Sequence, residues 1–338
     1  MIYCSIYINI YTMETSNILY DDKSSHSNNS TESSLYIDMI PFNLRGRAEW
    51  WELRREEIFI CEKIAEGANG IINKAIWRGE KCVVKYLKHD NTETDYNDLI
   101  NEISVISHLR HPRLVLFMGA CTISDPLILL YEYLPNGSLD SYYKKMSIQH
   151  SKLWKPSIKY MCRWIKELTQ AIYFLHNCYY PIMHRDIKPS NILLDEDLHI
   201  KLTDFGLSRT IKKKHDIYKM SGCTGTLRYM APEILFNKGE DYNLKIDIYS
   251  LALNFWFINT GKIPFEELDR NPNAILLLRE GMRPNLKEIS NIELQNLIDK
   301  MWNTLPILRP DIEYVLNKVN IIYDDTLTKK KQSKCNVM

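Results

Sequence analysis

The sequence predicts an α+β fold in two lobes, a β-rich part followed by a helical part, with a cleft between them. Three observations carry this. Residues 58–88 hold β-prone runs with Gly67, Gly70 and Gly79 at the turns between them, as in an antiparallel meander. Beyond residue 137 the hydrophobic spacing is mainly helical. Between the two parts, Pro135-Asn136-Gly137 breaks the chain.

The elements follow in order. Residues 1–45 are expected to form a disordered arm, since 14–35 are rich in Ser, Asn, Asp and Thr and poor in apolar groups. The first lobe spans about 46–133, with order beginning near Trp50-Trp51. Strands are expected at Ile58–Ile64, Ile71–Trp77 and Cys82–Tyr86. Residues 95–110 change to helical spacing, with Leu99, Ile103 and Ile106 on one face and Pro112 as the stop. Strand-like runs Leu114–Met118 and Leu127–Tyr133 close the lobe. In the second lobe, about 138–323, Met161, Ile165, Leu168, Ile172 and Leu175 form an apolar stripe that reads as a core helix. Further helices are expected near 244–260, 273–280, 291–302 and 311–322, and residues 324–338 form a polybasic tail.

Composition narrows the classes of function. The 338 residues suffice for one large two-lobed domain with short tails. A hydrophobic fraction of 45% and a charged fraction of 25% are those of an ordinary soluble globular chain. The net charge of +1 gives no strong field toward nucleic acid, and no nucleic-acid partner is expected. The eight cysteines include no C-x-x-C pair and no zinc spacing, so they read as reduced thiols packed as small apolar groups. No apolar run approaches the ~18 residues that span a bilayer. The longest, Leu251 to Ile258, is interrupted by Asn254 and suits a buried helix. The first twelve residues are apolar but lack a basic lead and a cleavage site, so no signal peptide is expected. Met13 is a second candidate start.

The stretch 184–206, HRDIKPSNILLDEDLHIKLTDFG, carries the chemistry. It contains the groups needed to move a phosphoryl group from ATP to a hydroxyl. Asp186 can take the hydroxyl proton, Asn191 and Asp204 are hard oxygen donors suited to Mg2+, and Lys188 can offset charge on the phosphoryl in flight. Upstream, Lys85 lies on an otherwise apolar strand, where burial is costly without a partner, and Glu102 on the following helix is the natural one.

At this spacing the chain resembles a eukaryotic-type protein kinase over about residues 46–323. The resemblance implies the bilobal kinase fold: a β-rich N-lobe with one main helix, and a helical C-lobe. It implies that Lys85 contacts the α- and β-phosphates of ATP and that Glu102 holds it there. Ile64, Ile72, Val83 and Leu193 would sandwich the adenine, and the backbone of Glu132 to Leu134 would bind its edge. In IAEGANGII, Gly67 and Gly70 match the second and third glycines of the phosphate loop, and Ala65 replaces the first. Asp247 would anchor the catalytic loop from below. Arg309 would pair with Glu233 of Ala231-Pro232-Glu233. Thr226 and Lys188 fit the serine/threonine form. RHPRLVLFMGA and GTLRYMAPE look like the tyrosine-kinase-like group, near Raf and the mixed-lineage kinases.

There are departures. Ala65 and Asn69 weaken the phosphate-loop pattern, and Tyr249 and Ala252 replace the usual Trp and Gly after Asp247. Tyr131 falls at the gatekeeper position, where it is expected to close the pocket behind the adenine. Two rival readings stay open. One is a pseudokinase or scaffold, which only Ala65 favours; the other is dual-specificity or tyrosine transfer, which the IKPSN stretch disfavours.

Arg185, beside Asp186, calls for an anion, and in related kinases a phosphate on the activation segment supplies it. Thr210, Tyr218, Ser221 and Thr224 are the candidates, with Ser221 or Thr224 expected to respond to an upstream kinase. The tail ends in Cys335-Asn336-Val337-Met338, a C-a-a-X pattern favouring farnesyl, behind Lys329, Lys330, Lys331 and Lys334. A lipid chain and a polybasic run together suffice for anchoring. The expected location is cytoplasmic, peripheral on the cytosolic face of an anionic membrane.

Overall fold

The computed structural model describes residues 42–67, 70–86, 93–123, 126–210, 226–236, 242–266 and 275–335. The chain divides into two units, residues 1–48 and 49–338. Helix α1 (Phe42–Ala48) is the described part of the first; it crosses the expected boundary between arm and lobe at 46 and precedes Trp50-Trp51, where order was expected to begin.

In the second unit, β1 (Ile58–Gly67), β2 (Gly70–Trp77) and β3 (Glu80–Tyr86) form a meander. Arg78 and Gly79 both take positive φ, 50° and 88°, as a tight two-residue turn between twisted strands requires. Helix α2 (Glu93–Ile106) follows, then β4 (Phe117–Cys121) and β5 (Ile128–Glu132). The antiparallel sheet has the order β1-β2-β3-β5-β4. Strand alternation divides β3 between two environments. Cys82 and Val84 enter the lobe's core with Ile58, Ala75, Ile128 and Leu130, while Val83 and Lys85 line the cleft.

Strand β1 runs on to Gly67, past the expected end at Ile64, and two further boundaries of this lobe shift for local reasons. Helix α2 stops at Ile106, short of 110. The Leu109 N–H donates to the Ile106 carbonyl in a turn, and His111, before a proline, is sterically disfavoured in helix. Strand β4 runs Phe117–Cys121 instead of Leu114–Met118. The reason is where the earlier amides go: Val115 N–H donates to the Leu202 carbonyl, and Leu116 N–H to the Glu132 carboxylate.

After Pro135-Asn136-Gly137 come α3 (Leu139–Gln149) and α4 (Ile158–His176). On α4, Ile165, Leu168, Ile172 and Leu175 are buried, and Met161 is half-buried. Strands β6 (Ile182–Met183), β7 (Ile192–Leu194), β8 (Ile200–Leu202) and β9 (Arg209–Thr210) form two small antiparallel sheets, β7 with β8 and β6 with β9. Next are α5 (Pro232–Phe236), α6 (Lys245–Thr260), α7 (Ile275–Arg279), α8 (Ile292–Met301) and α9 (Ile312–Cys335). Helix α6 is buried on all sides, Leu251 to Ile258 included, and packs against α4 and α8. The boundary drawn at 323 falls inside α9, whose backbone stays helical through the lysines to Cys335. No helix among the described residues is long and apolar enough to cross a membrane.

Candidate active site

A cavity of about 520 Å³ lies between the sheet and the helical lobe. Ile64, Ala65, Gly70, Ile72 and Val83 line it from the sheet, Leu193 from β7, and Glu132 and Leu134 from the strand that links the lobes. Lys85, Glu102, Asn191 and Asp204 are also on its wall. Gly67 pairs with Gly70 at the end of the β1–β2 hairpin.

Lys85 is delivered by β3, paired with Ile72 on one side and Leu129 on the other. Its Nζ lies 2.6 Å from Glu102 Oε2 and 2.9 Å from Asp204 Oδ1. Glu102 is only 2% exposed. It is drawn in because Leu99, Ile103 and Ile106 on the same helix are buried. Each such side chain contributes about 1.5–3 kcal/mol on burial, enough together to offset a paired carboxylate's desolvation. Burial alone would lower the Lys85 pKa, but the Asp204 and Glu102 carboxylates outweigh it and raise it. The lysine is therefore a fixed cation.

Tyr131 on β5 completes this cluster. Its hydroxyl donates to Glu102 Oε1 at 2.6 Å, so both Glu102 oxygens are engaged. Its ring meets Phe117 edge-on at 5.8 Å, and Phe117 meets Trp51 at 6.5 Å. The side chain thus crosses the back of the cavity from β5 to α2. Burial, and next the Glu102 charge, push its pKa well up, so it stays a donor.

The catalytic-loop residues hang from α6. Asp247 accepts the backbone N–H groups of His184 and Arg185 at 2.9 Å each, and His176 lies 2.9 Å from it. Burial works against its charge, but the His176 hydrogen bond and the loop amides hold its pKa down. Asn254 donates to the Ile187 carbonyl at 3.0 Å. Burial pushes the His184 pKa down, leaving a neutral ring beside Phe205. Arg185 and Asp204 take φ of 71° and 68°, a strained region for side-chain-bearing residues.

Asp186 is braced on one side only. Its Oδ2 meets Lys188 Nζ at 2.7 Å and the Asn191 amide nitrogen at 2.9 Å. Its Oδ1 is buried and has no hydrogen-bond partner among the described residues. Asp186 and Lys188 sit beside the cavity and join its wall through Asn191.

Other expected residues fall as follows. Arg309, 1% exposed, forks onto Glu233 at 2.6 and 2.8 Å. Tyr249 lies between the guanidinium groups of Arg283 and Arg309, at 5.2 and 5.1 Å, which gives the substituted aromatic its place. Thr210 lies on β9, opposite Ile182. Tyr218, Ser221 and Thr224 lie outside the described residues, as do the side chains of Thr226 and Cys335.

Several participants were not anticipated. Ser138 and Ser141 line the cavity at the start of α3, where two small hydroxyl residues directly after the Pro-Asn-Gly break were a readable signal. Asn254 was readable only as a lone polar residue in an apolar run, and His176 only as the last residue of a helical stripe. Asn101 donates to the Ser208 carbonyl at 3.2 Å, tying α2 to the segment after Asp204.

A lysine clamped by two carboxylates at the back of a two-lobed cleft, above a loop held by a buried aspartate, marks the eukaryotic-type protein kinase class. Comparison with known families agrees: the protein kinase domain model matches residues 59–320, and the chain belongs to that family. A probable serine/threonine-protein kinase of Dictyostelium discoideum is 34% identical over 273 residues, covering 80% of this chain and 28% of that protein. The dual specificity protein kinase pyk3 of the same organism is 37% identical over 276 residues, 82% of this chain and 19% of that one. The serine/threonine-protein kinase STY46 of Arabidopsis thaliana is 29% identical over 275 residues, 80% of this chain and 45% of that one. The chain thus spans less than half the length of these relatives.

Proposed function

We propose that this protein transfers the γ-phosphoryl group of ATP to serine or threonine hydroxyls of other proteins. The observation that carries the reading is Asp186. A buried carboxylate oxygen without a partner costs at least about 1–3 kcal/mol. Here the other oxygen is braced by Lys188 and Asn191, so Oδ1 is held ready for a substrate hydroxyl.

In this reading Asp186 orients the hydroxyl and takes its proton as the oxygen attacks the γ-phosphorus and the bond to the ADP oxygen breaks. Lys188 offsets charge on the phosphoryl oxygens. Lys85, fixed by Glu102, grips the α- and β-phosphates. Ile64, Ile72, Val83 and Leu193 hold the adenine, Ala65 lies in the phosphate loop, and Glu132 and Leu134 present backbone to the adenine edge. Gly67 and Gly70 let the hairpin approach the phosphates. Asn191 and Asp204 would hold Mg2+; the Asn191 nitrogen is engaged on Asp186, so its Oδ1 is the atom offered to a cation. Bound magnesium would neutralise phosphate charge.

The test is transfer from Mg-ATP to a generic basic protein, with identification of the phosphorylated amino acid. Asp186→Asn is expected to lower turnover roughly a hundred- to ten-thousandfold. Phosphotyrosine beside phosphoserine would move the reading to dual specificity, the activity in the name of the pyk3 relative. ATP binding without transfer would move it to the pseudokinase.

Two further parts belong to the proposal. Phosphorylation of Ser221 or Thr224 by an upstream kinase orders the activation segment against Arg185; unchanged turnover of the Ser221→Ala/Thr224→Ala variant would sink this. The protein also acts at the cytosolic face of a membrane, through its lysine-rich end and a prenyl group on Cys335. Equal membrane partition of wild type and Cys335→Ser would refute the lipid.

A further inference from the structure

The chain as a whole is nearly neutral, at +1, but its charge is not evenly spread. Between Ser141 and Lys166 there are seven lysines and arginines and no aspartate or glutamate. The stretch forms nearly all of α3, the connection, and the first turns of α4. Lys144, Lys145, Lys152, Lys155 and Lys159 are all exposed. None of them forms an ion pair among the described residues. Apolar side chains stand out between them: Ile148 is 70% exposed, Leu153 49% and Ile158 40%.

Helix α9 brings a second cationic segment to the same corner. Lys166 Nζ lies 4.8 Å over the Tyr323 ring, and Cys162 meets the Thr326 hydroxyl. Rising numbers on α9 therefore meet falling numbers on α4, so the two helices run antiparallel. From Cys162, α4 has four residues left to its start at Ile158, about 6 Å at the helical rise. From Thr326, α9 has nine residues left to Cys335, about 13 Å. The lysine-bearing end of α9 thus overshoots the start of α4, at the end of the lobe where Lys152, Lys155 and Lys159 are found.

We propose that the α3–α4 corner, with the end of α9, is a docking surface for an anionic lipid bilayer. Ile148, Leu153 and Ile158 enter the headgroup boundary while the lysines meet lipid charge. Basic residues interleaved with exposed apolar ones suit an interface that is ionic at its surface and oily just beneath. A nucleic-acid backbone or an acidic peptide would satisfy the lysines and leave the three apolar side chains in water. This deepens the membrane part of the proposed function, and it stands without a lipid on Cys335.

The experiment is co-sedimentation of the unlipidated full chain with phosphatidylcholine vesicles, with and without phosphatidylserine. Binding is expected only to the anionic vesicles, and is expected to fall with added salt. The variant Lys152→Glu/Lys155→Glu/Lys159→Glu should bind at least about tenfold more weakly. It should keep its melting temperature and its Mg-ATP-dependent transfer. Ile148→Ser/Leu153→Ser should weaken binding with no change in charge. Should charge reversal perturb folding, the Lys→Gln set at the same three positions gives the same reading. Loss on Lys329→Gln/Lys330→Gln/Lys331→Gln with full binding by both corner variants would overturn the proposal in favour of the tail alone. Equal binding to RNA and to vesicles, or no binding to phosphatidylserine vesicles, would overturn it outright. Failure of the lipid reading is seen separately, in the partition of Cys335→Ser in cells.

Discussion

Lys85 on the sheet side of the cleft and Asp186 on the helical side are both buried charges, yet they are held by different means. Lys85 depends on side chains from other elements: Glu102 on α2, Asp204 after β8, and indirectly Tyr131 on β5. Asp186 sits in a loop whose backbone is pinned by Asp247 and Asn254 of a fully buried helix. A movement of α2 would break the first arrangement and leave the second intact. The difference teaches that the upper wall depends on how three separate elements are placed, while the lower wall depends on one helix of the core.

Breaking the lower wall should therefore register first as stability. Asp247→Ala strands two backbone N–H groups and His176 in the interior, and should cost about 3–5 kcal/mol, read by thermal or denaturant unfolding. A loss below about 1 kcal/mol would mean the loop is held by something else. Breaking the upper wall should register as activity. Glu102→Gln removes one of the two charges that hold Lys85, and turnover should fall roughly ten- to a hundredfold with stability little changed. Unaltered turnover would show that Asp204 alone can place the lysine.

Tyr131→Phe sharpens the contrast, because it keeps the ring and removes one hydrogen bond. Turnover should fall about tenfold or less, and the effect should disappear in a Glu102→Gln background. Full additivity of the two changes would separate Tyr131 from the lysine clamp. Inhibitors that need space behind the adenine should bind weakly to wild type, since the phenol spans that space.

The smallest effect is the pH response of the lower wall. His184 has a folded pKa below its ordinary value of 6.5 because it is buried. Its contribution is complete above 6.5, where both states are neutral, and is lost as pH falls from there through the folded pKa. Melting temperature should decline as pH is lowered below about 6.5, and less steeply in His184→Gln. Parallel declines would assign the response elsewhere.

Much of this site was readable along the chain because its parts are neighbours in sequence. HRDIKPSN places Asp186, Lys188 and Asn191 within one loop, so spacing alone brings them together. Lys85 on an apolar strand announced a missing partner, and its burial cost pointed to Glu102. What could not be read depends on packing at a distance. The Tyr131 hydroxyl finds Glu102 only because β5 and α2 are adjacent. Asn254 looked like a blemish in an apolar run until α6 was set beneath Ile187. Strand β4 begins three residues later than its hydrophobic pattern suggested because Leu202 and Glu132 take the earlier amides.

From the sequence alone came the two-lobed class and, through the resemblance to protein kinases, the expected phosphoryl-transfer residues, since periodicity and local spacing are properties of the chain itself. Only the tertiary structure decided which oxygen of Asp186 is left without a partner, what secures Glu102 from behind, and that α9 runs antiparallel to α4. Hydrogen bonds and charge clusters between distant segments depend on how helices and strands pack, and packing belongs to the whole fold.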